Sequence, residues 1–169
     1  MMKKNLLFDF SVDKARKTIH VTREFYADVG LVWKAWTTAE LLDQWWAPSP
    51  WRAETKVMDF RKGGMWLYAM VGPGGEKHWS RNDYTDIVRE KSFSSLDSFS
   101  DENGTINHAM PQTDWTKEFS EADGRTTVEV NCRLKSLEDL EKLIEMGFQE
   151  GFTQGLNQLE ELLGSLQKN

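Results

Sequence analysis

The sequence predicts an α+β protein in which an antiparallel sheet of about seven strands is covered by one long C-terminal helix. Two short helices are expected after the first strands. Three observations support this layout. Short segments alternate between apolar and polar residues and end at turn residues. Helical spacing occurs early in the chain, and it returns after Ser136 for nearly thirty residues without a proline.

The N-terminal part of the chain predicts a strand hairpin followed by two helices. Apolar and polar residues alternate over 6–11 and again over 18–25, which is typical of two paired strands. Asp28 can cap the first helix. Thr37 and Glu40 form a capping-box pattern, so a second short helix should begin there.

The rest of the chain predicts a meander of strands and a final helix. Between residues 51 and 122, clusters of glycine, proline and polar residues recur at regular intervals, as in antiparallel strands joined by turns. Asp123-Gly124 joins the last two strands in a tight hairpin. Ser136 and Asp139 then begin the long amphipathic helix that should cover the sheet.

Length and charge limit the classes of function. The chain has 169 residues, so one domain over 1–169 is expected. A net charge of -6 and a pI near 5.2 argue against nucleic acid as a partner. The lone Cys132 cannot form an intrachain disulfide, and Asp9 interrupts the N-terminal apolar run. We therefore expect a cytoplasmic protein that does not bind membranes.

Several segments, in order along the chain, carry a family resemblance. They are Val21-Thr22-Arg23-Glu24-Phe25, residues 31–37, residues 41–48 with the Trp45-Trp46 pair, Gly63-Gly64-Met65-Trp66, Met110-Pro111 and residues 146–163. With these segments the chain resembles the SRPBCC or START-like superfamily, which includes the Bet v allergens. Within it, the chain is similar to the family named for the C-terminal domain of the heat-shock-protein-90 ATPase activator. The resemblance implies a helix-grip fold, in which a curved sheet wraps the C-terminal helix and leaves a deep apolar cavity.

Aromatic residues are the candidates for lining such a cavity. The sequence contains eight tryptophans, nine phenylalanines and three tyrosines, and pockets for small molecules are mostly apolar and aromatic. Both faces of the strand 65–71 are apolar, and the resemblance favours one of them as the inner face. The predicted cavity residues are Trp46, Trp66, Tyr68, Met70, Trp79, Tyr84, His108, Trp115, Gly147, Phe148, Gly151 and Phe152. The opposite apolar face needs a cover, which a sheet edge, a neighbouring element or a second subunit could supply, so a homodimer is one expectation.

Three glycines follow one another at intervals of four in the predicted long helix. Gly147, Gly151 and Gly155 would form one stripe on its buried side. Glycine within a helix costs about 0.5–1 kcal/mol relative to alanine, so the missing side chains need an explanation. One alternative is close packing of the sheet against the helix. The other, which we favour, is that the glycines roof the cavity.

The sequence offers little that predicts catalysis. The histidines lack the spacing of a metal site, Cys132 shares a face with valines as a small buried residue would, and no cofactor motif is present. The first hypothesis is therefore a protein that binds a small apolar or aromatic molecule. The second is a cavity enzyme of the cyclase, dehydratase or hydrolase kind with His78 or His108 as base. A module that interacts with a chaperone ranks last.

Overall fold

The structure, a computed structural model, describes residues 6–167. Within this range eight strands form one sheet, and four helices complete the fold. The strands are β1 (Phe8–Asp13), β2 (Thr18–Phe25), β3 (Arg52–Met58), β4 (Met65–Val71), β5 (Lys77–Val88), β6 (Ser92–Ser100), β7 (Thr113–Ala122) and β8 (Arg125–Leu134). The helices are α1 (Val29–Thr37), α2 (Ala39–Trp45), α3 (Leu137–Glu145) and α4 (Phe148–Leu166). The predicted α+β class is confirmed, with eight strands in place of about seven.

The sheet is antiparallel throughout, in the order β1-β2-β8-β7-β6-β5-β4-β3. Val21 of β2 lies opposite Val130 of β8, so the first hairpin of the chain pairs with the last. Asp123 and Gly124 both have positive φ, as a two-residue hairpin turn between right-twisted strands requires. The hairpins and the meander that the alternation predicted are therefore confirmed.

The two early helices are also present, with one difference at the start of α2. The Asp28 carboxylate accepts a hydrogen bond from the Leu31 backbone N–H at 2.8 Å, as predicted for the cap of α1. The predicted capping box of α2 is wrong. The Thr37 hydroxyl donates to the Trp33 carbonyl at 2.8 Å instead of capping α2. The N-cap is Thr38, which makes no side-chain cap, because its hydroxyl donates to the Lys34 carbonyl at 2.8 Å.

The predicted single C-terminal helix is in fact two helices. Gly147 separates α3 from α4 with a φ of +91°, in the left-handed region that favours glycine. Its N–H donates to the Ile144 carbonyl at 3.0 Å, and its own carbonyl accepts from the Gly151 N–H at 2.9 Å. The hydrogen bonds of Gly147 thus satisfy backbone groups at the end of α3 and at the start of α4. None of the described helices has the length and apolar character that crossing a bilayer requires.

The inner face of the sheet is closely packed at the β2 and β8 side. The inner positions of β8, Val128, Val130 and Cys132, are each at most 1% exposed. Burial raises the pKa of the Cys132 thiol, so the group stays protonated near neutral pH. The prediction of Cys132 as a small buried residue is confirmed.

Helix α4 lies against the segment that follows α2. A Cβ atom on Gly155 would lie 3.3 Å from the Trp45 carbonyl oxygen and 3.4 Å from that of Trp46. Nearby, the Gln158 side-chain amide donates to the carbonyls of Trp45 at 3.0 Å and Ala47 at 2.8 Å. Gly155 therefore serves close backbone approach, and the prediction that it roofs the cavity is wrong.

The outer face of β4 is covered by the chain itself. Residues 101–112, the outer strap, connect β6 to β7 and cross the sheet towards β3. Arg81 donates to the Gly104 carbonyl at 2.9 Å, and Lys56 donates to another strap carbonyl at 2.8 Å. Leu67, on the outer face beneath Gly104, is only 2% exposed. Of the possible covers, a neighbouring element is the one observed here, and a homodimer remains a prediction.

Candidate functional site: a cavity between sheet and helices

A cavity of about 260 Å³ lies between the inner face of the sheet and the two C-terminal helices. It is lined by Trp46, Pro48, Tyr68, Met70, His78, Ser80, Asp97, Phe99, Pro111, Thr113, Trp115, Leu143, Met146, Gly147, Phe148, Gly151 and Phe152. An apolar cavity of about 150 Å³ can hold benzene, and pockets for drug-sized ligands measure roughly 300–1,000 Å³. The volume therefore suits a molecule of one or two rings.

Four neighbouring strands, β4 to β7, form the sheet side of the cavity. Each contributes two alternate residues, because only every second side chain of a strand faces inward. The register places Tyr68 opposite Ser80 and Asp97 opposite Thr113. Polar groups thus lie side by side on this wall.

Trp46 is the centre of the aromatic part of the wall. Its ring packs against those of Trp66, Trp115 and Phe152 at centroid distances of 5.6, 5.8 and 6.0 Å. Its indole N–H donates to the Tyr68 hydroxyl at 2.8 Å. Because burial raises the pKa of Tyr68, this hydroxyl remains a phenol. The wall is therefore held rigidly by packing and by a hydrogen bond.

The helix side of the cavity is apolar. The rings of Phe148 and Phe152 stack at 5.5 Å, and both contact Trp115 edge-on. Between them along the helix lies Gly151, where an added Cβ atom would meet only Pro48, at 3.7 Å. At this position, unlike Gly155, the missing side chain leaves space in the cavity.

Most of the predicted cavity residues lie on its wall. They are Trp46, Tyr68, Met70, Trp115, Gly147, Phe148, Gly151 and Phe152. Trp46 is only 9% exposed, whereas Met146 is 48% exposed. Residues such as Met146 and His78 therefore form the mouth, and Trp46 lies deeper. A role for any of these residues in binding remains a prediction.

Four predicted residues lie off the wall, each for a different reason. Trp66 faces inward but stacks behind Tyr68, at 4.0 Å between ring centroids. Tyr84 also faces inward but packs against Phe60 further along the sheet. Trp79 faces outward, because its neighbours in β5, His78 and Ser80, face inward. His108 is exposed on the outer strap.

Sequence reasoning missed most of the polar wall. Ser80, Asp97 and Thr113 line the cavity, and Lys117 lies behind it at only 5% exposed. A signal for the charged residues was present in the sequence. Asp97 alternates with Phe99, and Lys117 alternates with Trp115, so each charge occupies a position where the pattern calls for an inward residue.

Asp97 is a partly buried carboxyl group on the cavity wall. Burial raises its pKa to about 7, and the nearby Lys117 and Trp115 oppose the rise. The Trp115 indole N–H lies close to the carboxyl group, but it makes no hydrogen bond of good geometry to any residue of 6–167. Asp97 thus changes charge near neutral pH within the cavity.

Lys117 is surrounded by aromatic rings. Its Nζ lies 4.6 Å from the ring centroid of Phe93 and 4.8 Å from that of Trp115. The rings of Trp36 and Trp46 lie within 5.6 Å. Burial lowers the pKa of Lys117 to about 8, although the carboxylate of Asp97 opposes this change. The ammonium is therefore stabilised by ring faces rather than by a direct ion pair.

His78 and His108 are the histidines that the enzyme hypothesis names as a possible base. His78 lies exposed at the mouth with its ring against that of Trp51, at 5.4 Å between centroids. Neither His78 nor His108 has an acid or hydroxyl partner within hydrogen-bond reach among the described residues. Among the same residues, no group of three or more His, Cys, Asp or Glu side chains could hold a metal ion.

The family model described as "Activator of Hsp90 ATPase homolog 1-like protein" matches residues 26–164. Since the match covers most of the chain, the protein belongs to this family. The helix-grip arrangement that the resemblance implied agrees with the observed fold.

Solved structures of proteins from several bacteria have the same fold over nearly the whole chain. Protein Ms6760 from Mycobacterium smegmatis is 32% identical, with a TM-score of 0.86 over 94% of this chain and 97% of that chain. A protein from Arthrobacter aurescens is 29% identical, with a TM-score of 0.88 over 93% of this chain and 91% of that chain. A protein from Staphylococcus epidermidis is 28% identical, with a TM-score of 0.81 over 94% of this chain and 96% of that chain. No curated protein matches the chain.

Proposed function

We propose that the protein binds a small, planar, largely apolar molecule in the cavity between its sheet and its C-terminal helices. The observation that carries the proposal is a partly enclosed space of about 260 Å³ with aromatic rings on both sides. Flat side chains such as Trp115 and Phe148 offer faces and edges to a flat ligand. The fold is one that commonly binds small hydrophobic molecules.

Gly151 supports the proposal from the helix side. Glycine within a helix lowers the stability of the protein by about 0.5–1 kcal/mol relative to alanine. Close packing does not explain this loss at Gly151, since only Pro48 would touch an added Cβ. Space for a ligand explains it. The name of the family refers to a chaperone activator, and interaction with a chaperone remains a prediction for this chain.

The test is binding of naphthalene, a two-ring molecule of suitable size. We expect naphthalene to quench tryptophan emission and to raise the melting temperature of the wild type, because a ligand that binds only the folded state stabilises it. Native mass spectrometry of the freshly purified protein should also show a co-purified mass.

Two variants show whether the cavity is responsible. Gly151→Leu should fill the space, keep or raise the melting temperature and abolish binding. Gly164→Leu is the matched control, because Gly164 lies on α4 with nothing within 4 Å of an added Cβ and off the cavity wall. It should bind naphthalene like the wild type. The proposal fails if the wild type binds no apolar probe, or if both variants bind equally well.

A further inference from the structure

The two sides of the cavity differ in chemistry. Helices α3 and α4, with the two residues between them, contribute Leu143, Met146, Gly147, Phe148, Gly151 and Phe152, none of which can change charge. The sheet contributes Ser80, Asp97 and Thr113 next to the aromatic rings. A bound molecule would therefore place its polar end towards the sheet.

Two polar groups lie close together on this wall, the Asp97 carboxyl group and the Trp115 indole N–H. The Trp115 indole N–H has no hydrogen-bond acceptor in residues 6–167, although Trp115 is only 3% exposed. The Asp97 carboxyl group accepts no hydrogen bond of good geometry from the same residues. Buried polar groups normally have partners, and leaving one unpaired is costly. The Trp115 nitrogen is itself inaccessible, so the Asp97 carboxyl group is the acceptor that a ligand in the cavity can reach.

The charged groups around Asp97 limit the charge that a ligand can carry. Lys117 of β7 is the nearby cation. Tyr68 of β4 and Cys132 of β8 stay protonated, because burial raises the pKa of each. His78 lies at the mouth, and α3 and α4 bring no titratable group to the wall. A cationic ligand would meet Lys117, and an anionic one would meet ionised Asp97, so a neutral ligand fits best.

We propose, on the basis of the function proposed above, that the cavity selects neutral aromatic alcohols, whose hydroxyl group donates a hydrogen bond to the Asp97 carboxyl group. A hydroxyl is a small neutral group that donates a hydrogen bond. A carbonyl would leave the carboxylate without a donor. An aromatic hydrocarbon would offer no donor to the carboxylate either.

The experiment compares 2-naphthol with naphthalene by tryptophan quenching at about pH 8. Hydrogen bonds to a charged group are the stronger kind, so we expect 2-naphthol to bind roughly tenfold to a hundredfold more tightly. In Asp97→Ala this ratio should fall to within about threefold of one, while naphthalene still binds. Asp114→Ala is the matched control, because Asp114 lies exposed on the outer face of β7 and should leave the ratio unchanged.

Protonation and folding provide further readouts. Affinity for 2-naphthol should rise between about pH 6 and pH 8 as Asp97 ionises, and Asp97→Asn, which keeps the shape of the side chain, should remove this rise. Circular dichroism spectra of the Asp97 variants must match the wild type. Positively charged 2-naphthylmethylamine should bind more weakly than 2-naphthol.

The outcomes separate the two proposals. If the wild type binds naphthalene and 2-naphthol equally, the role of Asp97 is overturned while the cavity function stands. If the amine binds most tightly, the charge argument for a neutral ligand is overturned. If neither naphthalene nor 2-naphthol binds, both proposals fail.

Discussion

The Nζ atom of Lys117 lies 4.6 Å from the ring centroid of Phe93, on the closed inner side of the sheet. Burial of an ammonium is costly, as the lowered pKa of about 8 indicates. The surrounding rings offset that cost, since a desolvated cation over an aromatic face gains about 0.5–2 kcal/mol. The charge should therefore contribute little net stability, and the apolar stem of the side chain should contribute most.

Two substitutions test this balance. Lys117→Met keeps the stem and removes the charge, so the free energy of unfolding at pH 7 should change by less than about 1 kcal/mol. Lys117→Ala leaves a void among the rings and should cost about 2–4 kcal/mol. Urea unfolding followed by tryptophan fluorescence measures both. If the two variants are equally destabilised, the ammonium itself is required.

Asp97 should make stability depend on pH. Its pKa in the folded protein, about 7, lies above the ordinary value of 3.8 expected in the unfolded chain. The folded state therefore holds this proton more tightly. The contribution is fully present below about pH 4 and is lost as the pH rises through 7.

Asp97→Asn removes this titration. Relative to the wild type, the variant should gain about 1–4 kcal/mol in free energy of unfolding between about pH 4.5 and pH 7.5. Urea unfolding at several pH values measures the difference. Asp114→Asn, an exposed substitution on the next strand, controls for the general loss of an acidic group. A constant difference between Asp97→Asn and wild type across this range would contradict a titration near neutral pH.

Local patterns predicted most of the fold because they report local chemistry. Asp28 and Ser136 cap their helices as expected, since a cap depends on a few neighbouring residues. The break at Gly147 was not predicted, because the helical spacing of apolar residues continues across it, with Leu140 and Phe152 both buried. A glycine at the end of a helix is a known stop signal. Here it resembled Gly151 and Gly155, which do lie within α4.

The candidate site was harder to predict because it depends on register. Alternation shows that His78 and Trp79 face opposite ways, but not which of them faces inward, and a slip of one residue exchanges the faces. Local sequence also does not show how far along a strand the cavity extends. Tyr84 was therefore predicted to line a cavity that ends before it. Asp97 and Lys117 could have been found from their inward positions in apolar strands. Their proximity to each other follows only from the pairing of β6 with β7.

The helix glycines Gly151 and Gly155 should respond oppositely to alanine. Gly151→Ala gains helix propensity in open space and should raise the free energy of unfolding by about 0.5–1 kcal/mol. Gly155→Ala should lower it by about 1–2 kcal/mol, because the new Cβ would press on the Trp45 and Trp46 carbonyls and disturb the bonds from Gln158. Thermal unfolding measures both. Equal effects would mean that the contact at Gly155 relaxes without cost.

Arg81 should hold the outer strap on the sheet. It pairs with Asp83 at 2.8 Å and donates to the Gly104 carbonyl at 2.9 Å. Arg81→Met removes a charged hydrogen bond between sheet and strap, so the backbone amides of residues 104–107 should exchange with deuterium about tenfold faster or more. Hydrogen exchange followed by mass spectrometry measures this, and the amides of β8 should be unaffected.

The matched control for the strap is Arg133→Met, at an exposed position of β8 away from strap residues 104–107. The alternative is that the strap holds itself, since the Asp101 carboxylate accepts from the backbone N–H groups of Asn103 and Thr105, both at 2.9 Å. These hydrogen bonds hold the pKa of Asp101 below its ordinary value. If the strap amides exchange equally fast in Arg81→Met and Arg133→Met, the hydrogen bonds of Asp101 are sufficient to hold the strap in place. In that case Asp101→Ala, rather than Arg81→Met, should release the strap and expose Leu67 beneath it.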